Sequence, residues 1–248
     1  MKQKDYLYDL LVHDLMGPSS VIETTANGML VKEKYGPLPD AQKNALERIA
    51  RNIKRAKGLL HEILDVSRSE EQLFRAETFD VEPLLKEVFL NVMEVMDQGS
   101  AARLRGTGDH AAMRQVLEAA GIDVAITGKY ERSPFVHDKR KIQLILENLI
   151  SNALKYRRKR INVSISGDGD IVILVSDDGM GIPAGHEETV YKRFMQLKNA
   201  DLCGVQGLGL GLFCVKSLVD TMGGTITLLS REGSGTSFTV KIPPLKSN

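Results

Sequence analysis

Glu147-Asn148-Leu149-Ile150-Ser151-Asn152-Ala153-Leu154-Lys155-Tyr156 closes a stretch that reads as one long helix from His137 to Tyr156. Asn148 and Asn152 stand one helical turn apart, so both amides leave the same face, and Lys155 joins them three residues on. Two neutral oxygen ligands and an ammonium suit a magnesium–phosphate group, because Mg²⁺ takes few protein oxygens and shares its sphere with phosphate and water. Two asparagines and a lysine alone fit a plain exposed polar face equally well, so the neighbouring segments must decide.

Downstream, Ile161–Ser166 and Ile171–Ser176 alternate as strands joined by Gly167-Asp168-Gly169-Asp170, a hairpin signal. Asp177-Asp178-Gly179-Met180-Gly181-Ile182-Pro183 follows directly. A carboxylate at a strand end can accept a proton from an exocyclic amine such as that of adenine, and glycines after it allow backbone and ligand to approach closely. A tight turn is the plain alternative. Gly204-Val205-Gln206-Gly207-Leu208-Gly209-Leu210-Gly211-Leu212 then opens a helix expected from about Leu210 to Met222. Glycines before a helix expose amides and the positive end of its dipole, where phosphates bind. No GK[ST] follows and no strand immediately precedes, so neither a Walker loop nor a dinucleotide fingerprint fits. Thr225–Ser230 and Ser237–Ile242 read as closing strands. Upstream, Asp80–Met96 reads as a helix, Asp97–Asp109 as loop or insertion, Ala111–Ala120 as a helix ended by Gly121, and Ile122–Ile126 as a strand. This half is α+β, with helices on one face of a mixed sheet.

The first 70 residues read as two helices and a turn. Leu46, Ile49, Ile53, Ala56, Leu60 and Ile63 form a heptad seam, and Leu7, Leu11, Leu15, Ile22 and Met29 a looser one. Tyr35-Gly36-Pro37-Leu38-Pro39 breaks the helix, and Asp40 supplies an N-cap or first-turn carboxylate to the next. Two helices cannot enclose both seams, so a dimeric four-helix bundle is expected. The expected domains are 1–72 and 78–248, with an insertion near 97–121.

Composition excludes several classes. The 248 residues are 42% hydrophobic and 26% charged, which is neither collagenous nor disordered usage. No stretch approaches 18 apolar residues, so no membrane segment is expected, and the charged start Met1–Asp14 does not suit a signal peptide. Cys203 and Cys214 form no CxxC, which favours a reduced compartment. A net charge of +1, no tryptophan and 5% aromatics leave no field or stacking platform for nucleic acid. Arg157–Arg160 is basic, but at a helix C-terminus it complements the dipole.

In this order and spacing, the segments at Asn148, Asp177 and Gly207 resemble the N, G1 and G2 boxes of the histidine kinase ATP-binding domain. Tyr191-Lys192-Arg193-Phe194 is similar to that family's F box, and Gly223–Pro244 to its closing strands. The resemblance covers roughly residues 135–243 and implies an α/β sandwich of the gyrase, Hsp90, histidine kinase and MutL group. His13-Asp14-Leu15-Met16-Gly17-Pro18 in turn resembles the H box, with the hairpin as phosphoacceptor domain. Physically, a neutral imidazole is a nucleophile, Asp14 can hold its tautomer or take its proton, and Pro18 removes a helical N–H nearby.

The resemblance implies a two-component sensor histidine kinase, using ATP and Mg²⁺, that phosphorylates His13 and passes the phosphoryl group to a response-regulator receiver domain. A homodimer follows, cytoplasmic here, with any sensor domain or membrane anchor of a longer protein upstream. Asn152 is implied as the Mg²⁺ ligand with Asn148 assisting, and Lys155 and Arg193 as phosphate neighbours. Asp177 would read adenine, with Ile182 and Thr236 nearby. Tyr156, Gly179, Gly181 and Phe194 complete the pocket, and Gly207, Leu208, Gly209, Leu210, Gly211 and Leu212 cradle phosphates beneath a lid over 184–206. Two departures stand out. Gly17 replaces the Thr or Asn usual four residues after the His, with Met16 before it in place of a basic residue, and Asp97–Gly121 is longer than usual. The alternative is a degenerate core acting as a dimeric signalling scaffold. An ATP-driven clamp would need a catalytic Glu at position 148, and Glu147 points about 100° away. His61, His110, His137 and His186 read as structural or solvated.

Overall fold

The computed structural model describes residues 2–31, 36, 38–69, 74–192, 195 and 209–245. It divides into two compact units, Met1–Arg68 and Ser69–Asn248.

The first unit is a pair of helices, α1 (Lys2–Val31) and α2 (Asp40–Ser69). α1 continues through Pro18 although proline contributes no N–H to the ladder. α2 opens where the Pro39 carbonyl accepts from the amides of Gln42 and Lys43 at 2.9 and 3.0 Å, with Asp40 in its first turn favoured by the dipole. Lys57 Nζ meets Glu23 Oε2 at 2.6 Å, linking the helices. Ala26 is buried, whereas Leu15, Val21, Ile22 and Ile49 stay exposed. Leu46, Ile53 and Ala56 are half-buried, and the side chains of Leu7, Leu11, Leu60 and Ile63 lie outside the described set.

The second unit is a two-layer α/β sandwich. Its strands are β1 (Glu77–Phe79), β2 (Ile122–Ile126), β3 (Phe135–His137), β4 (Ile161–Ser166), β5 (Ile171–Asp177), β6 (Thr225–Arg231) and β7 (Gly235–Ile242). Its helices are α3 (Val81–Met96), α4 (Gln98–Arg105), α5 (His110–Ala119), α6 (Lys139–Tyr156) and α7 (Gly211–Thr221). Five strands form one sheet in the order β2-β4-β5-β7-β6, with β2 parallel to β4 and the other pairs antiparallel. Parallel neighbours need a crossover, and α6 lies within the one between β2 and β4. It packs between α3 and α7 and against β5. The core is the buried face of these layers, including Leu85, Val88, Phe89, Ile145, Leu149, Ile173 and Val240.

Two expectations need correction. Asp97–Asp109 is not a loop, because it contains α4. The Asp97 side chain accepts the Ser100 amide at 3.0 Å, and Ser100, Ala101 and Leu104 are buried where α4 packs on α3. This capping contact outweighs the low propensity of Gly99. Asp109 caps α5 in the same way, through the Ala112 amide at 2.8 Å. His137 is not helical either. It ends β3, which pairs antiparallel with β1, and α6 starts only after Asp138, whose carboxylate accepts the Lys141 amide at 3.0 Å.

Candidate functional site

β5 places the first candidate carboxylate. Ile171, Ile173 and Val175 are buried, and the two-residue period puts Asp177 on the same side at the strand's end. Its Oδ1 accepts the Gly179 amide at 2.8 Å. Burial pushes its pKa above the ordinary 3.8, while the Gly179 and Thr236 amides pull it down and the Asp178 charge adds to the rise. Thr236 faces Asp177 across the β5–β7 ladder. Gly235 must be glycine here, with φ +99° and the Asp177 carbonyl 2.0 Å from where a Cβ would stand.

Ser230 is a residue that sequence reasoning missed. Its hydroxyl accepts the amide of buried Ile182 at 2.8 Å, donates to the Gly235 carbonyl at 2.9 Å and lies 3.1 Å from Thr236 Oγ1. It thereby ties the Gly181-Ile182 turn to β7. A lone serine at a strand end carries no sequence signal for that. Asp177, Ser230 and Thr236 share an open depression of about 410 Å³ with Ser176, Leu229 and Arg231, whereas the asparagines of α6 do not line it.

α6 supplies the polar face. Asn148 Nδ2 donates back to the Leu144 carbonyl at 2.9 Å, which leaves its Oδ1 beside the first residue of α7. A Cβ at Gly211 would lie 2.5 Å from that oxygen, so glycine is what allows the contact. Asn152 and Lys155 are half-buried, and neither has a hydrogen-bond or ion-pair partner among the described residues. The backbone of Tyr156 meets Gly179, whose Cβ would stand 2.1 Å from the Tyr156 carbonyl. The room that Gly179 and Gly211 provide is thus taken by protein atoms rather than held open for a ligand. Glu147 leaves the asparagine face: Asn91 and Gln143 donate to its Oε1 at 2.7 and 2.8 Å.

Leu210 is buried, Gly209 lies against the Met195 carbonyl, and α7 begins at Gly211-Leu212 with no side-chain cap. Uncapped amides at a helix N-terminus suit an anion. Among the described residues no three His, Cys, Asp or Glu side chains cluster, so a metal cage of that kind is not built. The neutral Asn152 amide fits a cation that draws its other ligands from phosphate and water. Arg193, Phe194, Gly207 and Leu208 lie outside the described residues. His13 and Asp14 belong to α1 of the first unit, with side chains outside the described set. Arg157 serves a different helix end than expected, donating from Nη1 to the Ala120 carbonyl at the C-terminus of α5 at 2.8 Å. His137 is fully buried and His186 exposed.

Residues 137–246 match the family of histidine kinase-, DNA gyrase B- and HSP90-like ATPases. The sensor protein SrrB of Staphylococcus aureus is 28% identical over 249 residues, which cover 97% of this chain and 38% of SrrB. The chain therefore spans about two fifths of the length of the curated relatives it matches. Among solved structures, full-length ShkA in complex with AMPPNP superposes over 95% of this chain and 46% of its own, with TM-score 0.63. The Acinetobacter baumannii histidine kinase AdeS superposes over 94% of this chain and 98% of its own, with TM-score 0.55. Both are 20% identical, a likeness of fold.

Proposed function

We propose that the protein is an ATP-dependent protein histidine kinase, a reading supported by the match of residues 137–246 to the histidine kinase-, DNA gyrase B- and HSP90-like ATPases and by the similarity of 97% of the chain to the sensor protein SrrB. A ring nitrogen of His13 attacks the γ-phosphorus of ATP. The bond from that phosphorus to the β–γ bridging oxygen breaks, ADP leaves, and the imidazole proton passes to Asp14. The phosphoryl group then moves to an aspartate of a receiver domain.

Phosphoryl transfer depends mainly on positioning and charge neutralisation. Asp177 accepts the adenine amine beside Ile182 and Thr236. The α7 N-terminus and the Gly207–Leu212 segment receive phosphate oxygens, with Lys155 and Arg193 offsetting their charge. Asn152, assisted by Asn148, holds Mg²⁺, which supplies charge stabilisation on the phosphates when bound. The observation that carries this reading is the contact of Asn148 with Gly211, which joins the polar face of α6 to an uncapped helix N-terminus. The exposed Leu15, Ile22 and Ile49 of the helical hairpin support a homodimer through that unit.

The test is acid-labile phosphoryl incorporation from γ-labelled ATP. The unmodified chain is expected to take up label. His13→Gln is expected to take up none while binding ATP within a few fold, because nucleophile and nucleotide residues lie in separate compact units. Label that persists in His13→Gln refutes the nucleophile assignment. ATP binding without label in the unmodified chain favours the scaffold reading.

A further inference from the structure

Asp178, next to the adenine-reading candidate, holds residues 158–160 of the basic run by their backbone. Asp178 Oδ1 accepts three successive main-chain amides, from Arg158 at 2.9 Å, Lys159 at 3.0 Å and Arg160 at 3.1 Å. Oδ2 adds a longer contact with the Lys159 amide at 3.2 Å, and the Asp178 amide donates to the Arg160 carbonyl at 3.3 Å. Successive amides converging on one oxygen make an anion-binding nest. The Lys159 amide above all, with those of Arg160 and Arg158, holds this carboxyl below the ordinary value, so it stays ionised at neutral pH.

The nest occupies the short link between α6 and β4. On its near side the Tyr156 carbonyl abuts Gly179, and on its far side Ile161 pairs with Asp177 in the β4–β5 ladder. The three residues Asp177, Asp178 and Gly179 are therefore pinned at every step: by the ladder, by the nest, and by the Tyr156 backbone. Gly179 in turn donates its amide to Asp177 Oδ1.

We propose that Asp178 is a positioning residue, which through the Arg158–Arg160 amide nest fixes the Asp177 carboxylate against the C-terminal end of α6. The proposal rests on the reading of Asp177 as the adenine acceptor. Asp178 itself touches no nucleotide. Its role is to keep the base-reading strand end in register with the helix that carries Asn148, Asn152 and Lys155.

The test is calorimetric titration of the full chain with ATP and with ITP, each with Mg²⁺. ITP has a carbonyl where ATP has the exocyclic amine, so the ratio of the two Kd values reports where Asp177 stands. Asp178→Ala is expected to weaken ATP binding by about tenfold, the loss of roughly one charge-assisted hydrogen bond, and to leave ITP binding nearly unchanged. Asp178→Asn keeps an oxygen in the nest and is expected to restore most of the ratio. Asp178→Glu keeps the charge but moves it one methylene outward, and is expected to lose the ratio while disturbing the fold least. Hydrogen exchange at the Arg158–Arg160 amides, followed by NMR without nucleotide, should speed up in Asp178→Ala and Asp178→Glu but not in Asp178→Asn. An ATP preference retained in Asp178→Ala or Asp178→Glu overturns the proposal alone, as does an equal loss for both nucleotides. An unmodified chain that binds ATP and ITP equally overturns Asp177 as adenine acceptor, and the proposal with it.

Discussion

Gly17 stands one helical turn after His13 on α1, and a Cβ built there meets nothing within 4 Å. The space for a side chain exists, and only the side chain is missing. In the family this chain resembles, a Thr or Asn at that position orients water for attack on the regulator's phosphoaspartate. Glycine offers nothing beyond a backbone already committed to the helix. Losing one well-placed polar group of this kind costs on the order of 10²–10³ in rate. Autophosphorylation should suffer far less, because the backbone around His13 stays helical. The expected outcome is a kinase-biased protein, with phosphatase activity raised by Gly17→Thr or Gly17→Asn. Decay of purified phospho-regulator, with and without this protein and ADP, measures it. Strong acceleration by the unmodified chain, with no gain from either substitution, contradicts the argument.

The β1–β3 pair shows how an element too short for periodicity still sets a stability profile. His137 is fully buried, stacked on Phe135 at 5.8 Å and met edge-on by Phe74 at 5.6 Å. Its Nδ1 accepts the Asp138 amide at 2.8 Å, so the proton sits on Nε2, which has no partner among the described residues. Burial lowers its pKa from 6.5 to about 4, with Asp138 opposing and the Lys141 charge assisting. Between those values the unfolded chain binds a proton that the folded chain refuses. Stability therefore falls as pH drops from 6.5 to about 4, by about 3 kcal/mol at roughly 1.36 kcal/mol per unit. His137→Asn keeps an acceptor for the Asp138 amide but cannot titrate. It should be less stable by about 1–3 kcal/mol at pH 8 because of the cavity, and the gap should close as pH approaches 4. Urea unfolding at pH 8, 6 and 4.5 tests this, and curves that stay parallel across the range exclude His137 as the source.

At the scale of the whole molecule, two compact units divide the proposed labour. Asn152 lies in the second, half-buried and outside the tightly packed core, whereas the exposed apolar residues Leu15, Ile22 and Ile49 lie in the first. Burying each such residue in a dimer seam is worth roughly 1.5–3 kcal/mol, independent of the nucleotide pocket. Asn152→Ala is therefore expected to eliminate labelling from ATP while the chain remains dimeric by light scattering. A folded but monomeric Asn152→Ala protein refutes that division.

The sequence alone determined what repeats along the chain or sits in consecutive residues. The hydrophobic period of α3, the GDGD hairpin between β4 and β5, and the one-turn spacing of Asn148 and Asn152 are all local properties, and all appear in the fold. The place of Asp177 at the end of a strand, ahead of glycines, is a local pattern too. Tertiary structure alone decided what depends on contacts across sequence distance. α4 was hidden because three glycines suggested a loop until Asp97 and the packing of Leu104 made it a helix. β1 and β3, at three residues each, are too short to show a period and exist because they pair. Ser230 and Asp178 look like ordinary polar residues in sequence. Their roles arise only where the fold brings β6 to the Gly181-Ile182 turn, and three consecutive amides of the α6–β4 link to one carboxylate oxygen.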